Sequence, residues 1–162
     1  MVFLCVIQYA NAQLLTDEEM PPTHADTVRG MLNELRSCYD VGYYDLTVKV
    51  FPDSQSIEGT NIITLQATND FSKMQIDFFE NMKIGIITFD DEIMDYKREH
   101  NAMYMTLPFI AKKGTVHHVR IEFFGKPLIA ENPPWDGGFV WDHDMEGNPW
   151  IGVACEGIGA SL

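Results

Sequence analysis

The chain has 162 residues, 46% of them hydrophobic, which suits one domain with a real core. Its 24 acidic and 11 basic side chains leave a formal net charge of −13. That charge repels phosphate backbones and anionic membrane surfaces, which argues against nucleic acid as a partner and reads as a soluble surface.

Residues 1–12 open with an apolar run, Val2 to Ile7, followed by Ala10-Asn11-Ala12 before Gln13. The run is too short to span a bilayer, and the A-x-A spacing fits signal cleavage. No Lys or Arg precedes Arg29, so the segment reads as a partial signal peptide that lacks its basic start. The expected location is therefore secreted or periplasmic, in a bacterial cell envelope. Residues 13–38 read as a leader. Val28, Met31, Leu32 and Leu35 recur at helical spacing, which predicts an amphipathic helix over 23–36 with Thr23 as its cap.

From Tyr39 the period changes to two. Tyr44, Leu46, Val48 and Val50 alternate with Asp45, Thr47 and Lys49 in a strand over 43–50. The turn Pro52-Asp53-Ser54-Gln55 leads to a partner strand over 57–67, completing a hairpin. Met74, Ile76 and Phe78 alternate with Gln75 and Asp77, and further strands are expected over 84–89, 93–99, 102–107 and 115–124. Many short strands with hairpin-length links predict an all-β fold, a twisted antiparallel β-sandwich with a short amino-terminal helix. No internal repeat or second domain boundary is visible.

The residues offer little chemistry of their own. His117 and His118 are adjacent on a strand and point to opposite faces, so they cannot chelate together. His117 shares a face with Val119, Ile121 and Phe123, and reads as a hydrogen-bonded core histidine. There is no H-E-x-x-H and no C-x-x-C. Asp142-x-Asp144-x-Glu146-Gly147 begins like a calcium loop, but Val153 stands where the bidentate Glu belongs, so it reads as a hairpin turn. No G-x-S-x-G elbow or phosphate-cradling glycine turn occurs. With Cys5 in the signal, Cys38 and Cys155 remain; a bridge between them is open, and small buried apolar residues are the preferred reading.

The segment 132–162 concentrates all three tryptophans, Trp135, Trp141 and Trp150. It contains P-P-W-D-G-G-F-V-W and P-W-I-G-V-A-C-E-G-I-G-A-S-L. With Tyr43-Tyr44-Asp45-Leu46-Thr47-Val48 and Ile57-Glu58-Gly59, these pieces resemble the amino-terminal domain of the aminopeptidase N and leukotriene hydrolase family of zinc metallopeptidases, in its secreted bacterial form. The likeness runs over 39–162. It implies a saddle-like β domain, incomplete at its carboxyl-terminal end, which leans on a downstream catalytic domain of the same polypeptide. In the family that next domain carries G-x-M-E-N and H-E-x-x-H and binds the zinc, so this chain is expected to bind none. The first domain's own contribution is the residue after Cys in a C-[EQ] segment, here Glu156 after Cys155. The resemblance implies that Glu156 anchors the α-ammonium of a peptide substrate, with Cys155, Gly157, Ile158, Gly159 and Ala160 beside it. The family carries Glu or Gln there, which leaves substrate preference open. For the three tryptophans, packing within or between domains is the expected role. A stand-alone module binding a peptide or glycan, and a non-catalytic relative of the family, are the alternatives.

Overall fold

The structure is a computed structural model that describes residues 21, 23–30 and 32–155. The amino-terminal helix expected over 23–36 is two short ones, α1 (His24–Gly30) and α2 (Glu34–Ser37). The break has a local cause. Asn33 lies in extended conformation, and its Oδ1 accepts from the N–H groups of Leu35 and Arg36, so it caps α2 rather than continuing α1. Only part of the expected apolar stripe is covered: Val28 is buried and Leu35 half-buried, whereas Leu32 is exposed; Met31 lies outside the described residues.

Ten strands follow. They are β1 (Tyr39–Phe51), β2 (Ser56–Ala67), β3 (Phe71–Asp77), β4 (Met82–Phe89), β5 (Glu92–Ile93), β6 (Tyr96–Glu99), β7 (Ala102–Ala111), β8 (Val116–Gly125), β9 (Gly138–His143) and β10 (Pro149–Ala154). They form a five-stranded sheet in the order β1-β2-β8-β4-β5, a three-stranded sheet β3-β7-β6 and the hairpin β9-β10. All these pairings are antiparallel, and the fold is all-β as the alternation predicts.

The core lies between the larger sheets. On β8, His117, Val119, Ile121 and Phe123 face inward, flanked by Ile63 and Leu65 from β2 and Ile87 and Phe89 from β4. Met74 and Ile76 of β3, with Met103, Met105 and Leu107 of β7, close over them. The strand expected over 93–99 divides in two. Met94 turns inward, buried, and its N–H donates to the Ile87 carbonyl at 3.0 Å, so β5 stays on the larger sheet and β6 joins the smaller one. β7 runs past Leu107, where the expected strand ended, and through Pro108; the strand takes up the missing donor at an irregularity opposite Phe71 and Lys73.

The second face of β3 also carries structure. Gln75, which alternates with Met74 and Ile76 and so takes the other side, is fully buried under α1 and α2. Its Nε2 donates to the Val28 carbonyl and to Asp77 Oδ1, both at 3.1 Å, and its Oε1 accepts from Asn33 Nδ2 at 3.0 Å. Arg36 pairs with Asp77, and Tyr39 donates its hydroxyl to the Gln75 carbonyl at 2.7 Å. Burial raises the Tyr39 phenol well above its ordinary range. The leader helices are thus fixed to the sheet by a polar network whose members satisfy one another. No described helix is long and apolar enough to cross a membrane.

His117 behaves as its place on the apolar face predicts. It is buried, its Nδ1 lies 2.6 Å from Asp90 Oδ2 and its Nε2 2.6 Å from Thr115 Oγ1, and its ring packs 4.9 Å from that of Phe89.

Candidate functional site

The sandwich does not cover the whole inner face of the larger sheet. Toward one end, Ile57, Met82 and Phe123 form a separate cluster, and the β9-β10 hairpin leans on it through Phe139 and Trp141. Those two rings stack at 5.5 Å with planes 21° apart. The hairpin's seat depends on Gly138, whose φ is +143° and where an added Cβ would fall 2.6 Å from the Ala130 nitrogen. That close approach lets Phe139 exchange hydrogen bonds with the strap before it: its N–H donates to the Leu128 carbonyl at 2.7 Å and its carbonyl accepts from Ala130 at 3.0 Å.

Between sheet and hairpin lies a groove of about 380 Å³, lined by Leu46, Asn61, Phe79, Leu128, Phe139 and Val153 among others. Its rim around 78–82 is held by Arg98, which donates to the carbonyls of Phe78 and Met82 at 2.9 and 2.8 Å and also to that of Phe79. The Arg98 guanidinium also lies 5.4 Å from the Phe78 ring centre. The lining is apolar apart from groups such as Asn61, whose Oδ1 is buried without a hydrogen-bond partner in the structure. An open apolar groove with a sparse polar lining suits a protein surface or an extended ligand better than acid–base chemistry.

At the hairpin tip the carboxylate of Asp144 is spent on the turn. It accepts from the Glu146 and Asn148 N–H groups at 2.9 and 2.8 Å and from Asn148 Nδ2 at 3.0 Å. The Asn148 side chain, then the backbone donors, hold this carboxyl below the usual carboxylate range. Gly147 takes φ +85° in the turn. Among the described residues no three His, Cys, Asp or Glu side chains are grouped to hold a metal ion.

Of the residues that the resemblance placed around the substrate amine, the structure describes one. Cys155 follows Ala154, which lines the groove, and its thiol is free and exposed. The expectation of two buried cysteines therefore holds for Cys38 alone, whose thiol burial pushes its pKa up. Glu156, Gly157, Ile158, Gly159 and Ala160 lie outside the described residues. Trp141 packs against the inner cluster, while Trp135 and Trp150 are 70% and 53% exposed. Sequence reasoning missed the groove and Asn61. An Asn set among Ile57, Ile63 and Leu65 at strand spacing was the available signal.

No protein-family model and no curated protein matches the sequence. Solved structures do. The M1 zinc metallopeptidase from Deinococcus radiodurans is similar over 68% of this chain and 28% of its own, with a TM-score of 0.53 and 19% identity. A mutant form of the same enzyme, solved bound to a Tyr-Ser-Ala substrate, matches over 70% of this chain and 28% of its own, with a TM-score of 0.53 and 17% identity. Yeast LTA4 hydrolase is similar over 76% of this chain and 20% of its own, with a TM-score of 0.58 and 16% identity. At these identities the likeness is one of fold. The chain spans little more than a quarter of the length of the Deinococcus enzyme.

Proposed function

We propose that this chain is the amino-terminal, substrate-positioning domain of a secreted zinc-dependent aminopeptidase, with Glu156 as the anchor for the substrate α-amine. The observation that carries the reading is the shared fold with M1 zinc metallopeptidases, one of them solved with a bound peptide. In this reading residues 1–12 end a secretory signal, 13–38 are a leader, and 39–162 are the domain itself. The groove and its hairpin would face a downstream catalytic domain of the same polypeptide. In this reading the zinc is held by that downstream domain, and no step in this chain runs through it; among the described residues no three His, Cys, Asp or Glu side chains are grouped to hold one. In the complete enzyme, zinc supplies Lewis-acid activation of water and of the scissile carbonyl. This chain's part is to bind and orient. A carboxylate following β10 would pair with a free α-ammonium by charge-assisted hydrogen bonds, which an internal peptide bond cannot offer. That restricts cleavage to the first residue.

The reading is tested on the polypeptide encoded by the complete reading frame. It is expected to release the first residue from unblocked peptides and to lose that activity when a chelator removes zinc. A complete polypeptide without H-E-x-x-H, or without hydrolysis in the presence of zinc, overturns it. The exposed Trp135 and Trp150 favour a second reading, a stand-alone module binding a peptide or glycan, to which such a result would lead.

A further inference from the structure

Among the described residues the larger sheet ends on β1, a strand of 13 residues that pairs with β2 on one side only. Every residue from Tyr43 to Val50 is exposed, although Tyr44, Leu46, Val48 and Val50 stand opposite Ile63, Asn61, Gly59 and Ile57 on the core-facing side of the sheet. A long edge strand with uncovered apolar side chains is a template for a further strand, and proteins usually blunt such edges with charge, proline or a cover. Between Tyr43 and Phe51 the only charges are Asp45 and Lys49, of opposite sign and equidistant from Thr47.

We infer that β1 is a self-pairing edge, on which two copies of this chain join their larger sheets by antiparallel β1–β1 pairing about a two-fold axis at Thr47. In that register Asp45 stands opposite the partner's Lys49, and the symmetry makes this pair twice. Leu46 meets the partner's Val48, Tyr44 the partner's Val50, and Tyr43 the partner's Phe51. Directly opposed apolar and opposite-charge pairs are what stabilise a sheet. Registers displaced by two residues at the axis lose the charge match. A centre at Asp45 opposes the two Asp45 side chains, and one at Lys49 opposes the two Lys49 side chains. Half-step registers place the apolar face of one copy beside the polar face of the other. Lys49 has a partner within the chain, Glu58, at 3.5 Å, but both side chains are more than half exposed, and a loose surface pair yields readily. The pairing goes beyond the proposed function, because it uses the backbone edge of β1 and needs no substrate or catalytic domain.

Sedimentation velocity of the 162-residue chain over a concentration series tests it. The chain is expected to dimerise reversibly. Asp45→Lys and Lys49→Asp each place like charges opposite one another twice and are expected to weaken the dimer roughly tenfold or more. Combining the two substitutions restores the opposite-charge pairs and is expected to return the dissociation constant to within about threefold of the parent. Both positions are exposed, and circular dichroism confirms that each variant keeps its strand content. A chain that stays monomeric, single variants that dimerise as before, or a double variant that fails to recover would each overturn the inference.

Discussion

Phe89→Ala is expected to lower the free energy of unfolding by about 3–5 kcal/mol, the usual cost of emptying a fully buried aromatic site. Phe89 has no exposed surface and joins both sheets. It pairs with Val119 across β4 and β8, its ring meets that of Phe109 edge-on at 5.8 Å, and it lies against His117. Truncation leaves a cavity and removes the apolar wall beside the His117–Asp90 hydrogen bond, so the loss combines transfer and cavity contributions. Urea denaturation followed by circular dichroism measures it. A change below about 1 kcal/mol would mean that the two sheets are not packed on this ring.

Gln75→Leu is expected to cost about 2–4 kcal/mol, because it leaves buried hydrogen-bonding groups without partners while keeping the volume nearly constant. The Val28 carbonyl loses its Gln75 donor, and Asn33 Nδ2 loses its acceptor. Both groups belong to the leader, so the damage should be local as well as global: the amide protons of α2 are expected to exchange faster in proportion, and protease cleavage within 23–37 to quicken. Equilibrium denaturation together with hydrogen exchange reads both effects. An unchanged exchange rate in α2 would show that the helices are held by something other than this network.

The contrast between these two residues shows what a sequence carries. Phe89 fell at the end of an expected strand, and His117 was legible as inward because a period of two puts one side of a strand inward and Val119, Ile121 and Phe123 show which side. The same period gave Gln75 to the opposite side correctly, yet it holds no information on whether that side is covered. Here two short helices cover it, and the helical spacing around Val28 and Leu35 concealed the break that Asn33 makes. The reverse error occurred on β1. Tyr44, Leu46, Val48 and Val50 face inward as alternation requires, but the second sheet does not extend over them. Met94 and Pro108 went unread for a further reason: a strand that changes sheets or carries a bulge keeps a strand's local pattern, and only its partners reveal the difference. The groove was out of reach because its walls come from segments as far apart as Leu46 and Val153. The Asp142–Glu146 turn was readable because a calcium loop needs a particular residue at a particular distance, and Val153 is not it.

The central claim is that Glu156 recognises a substrate amine, and steady-state kinetics of the complete polypeptide test it most directly. Glu156→Ala is expected to lower kcat/KM for an unblocked peptide roughly 100-fold, as expected when one partner of a desolvated charge pair is removed. The trace hydrolysis of the same peptide with an acetylated amino terminus should stay unchanged, since that substrate has no ammonium for the carboxylate to meet. Equal losses on both substrates, or a loss smaller than about threefold on the free peptide, would contradict the account.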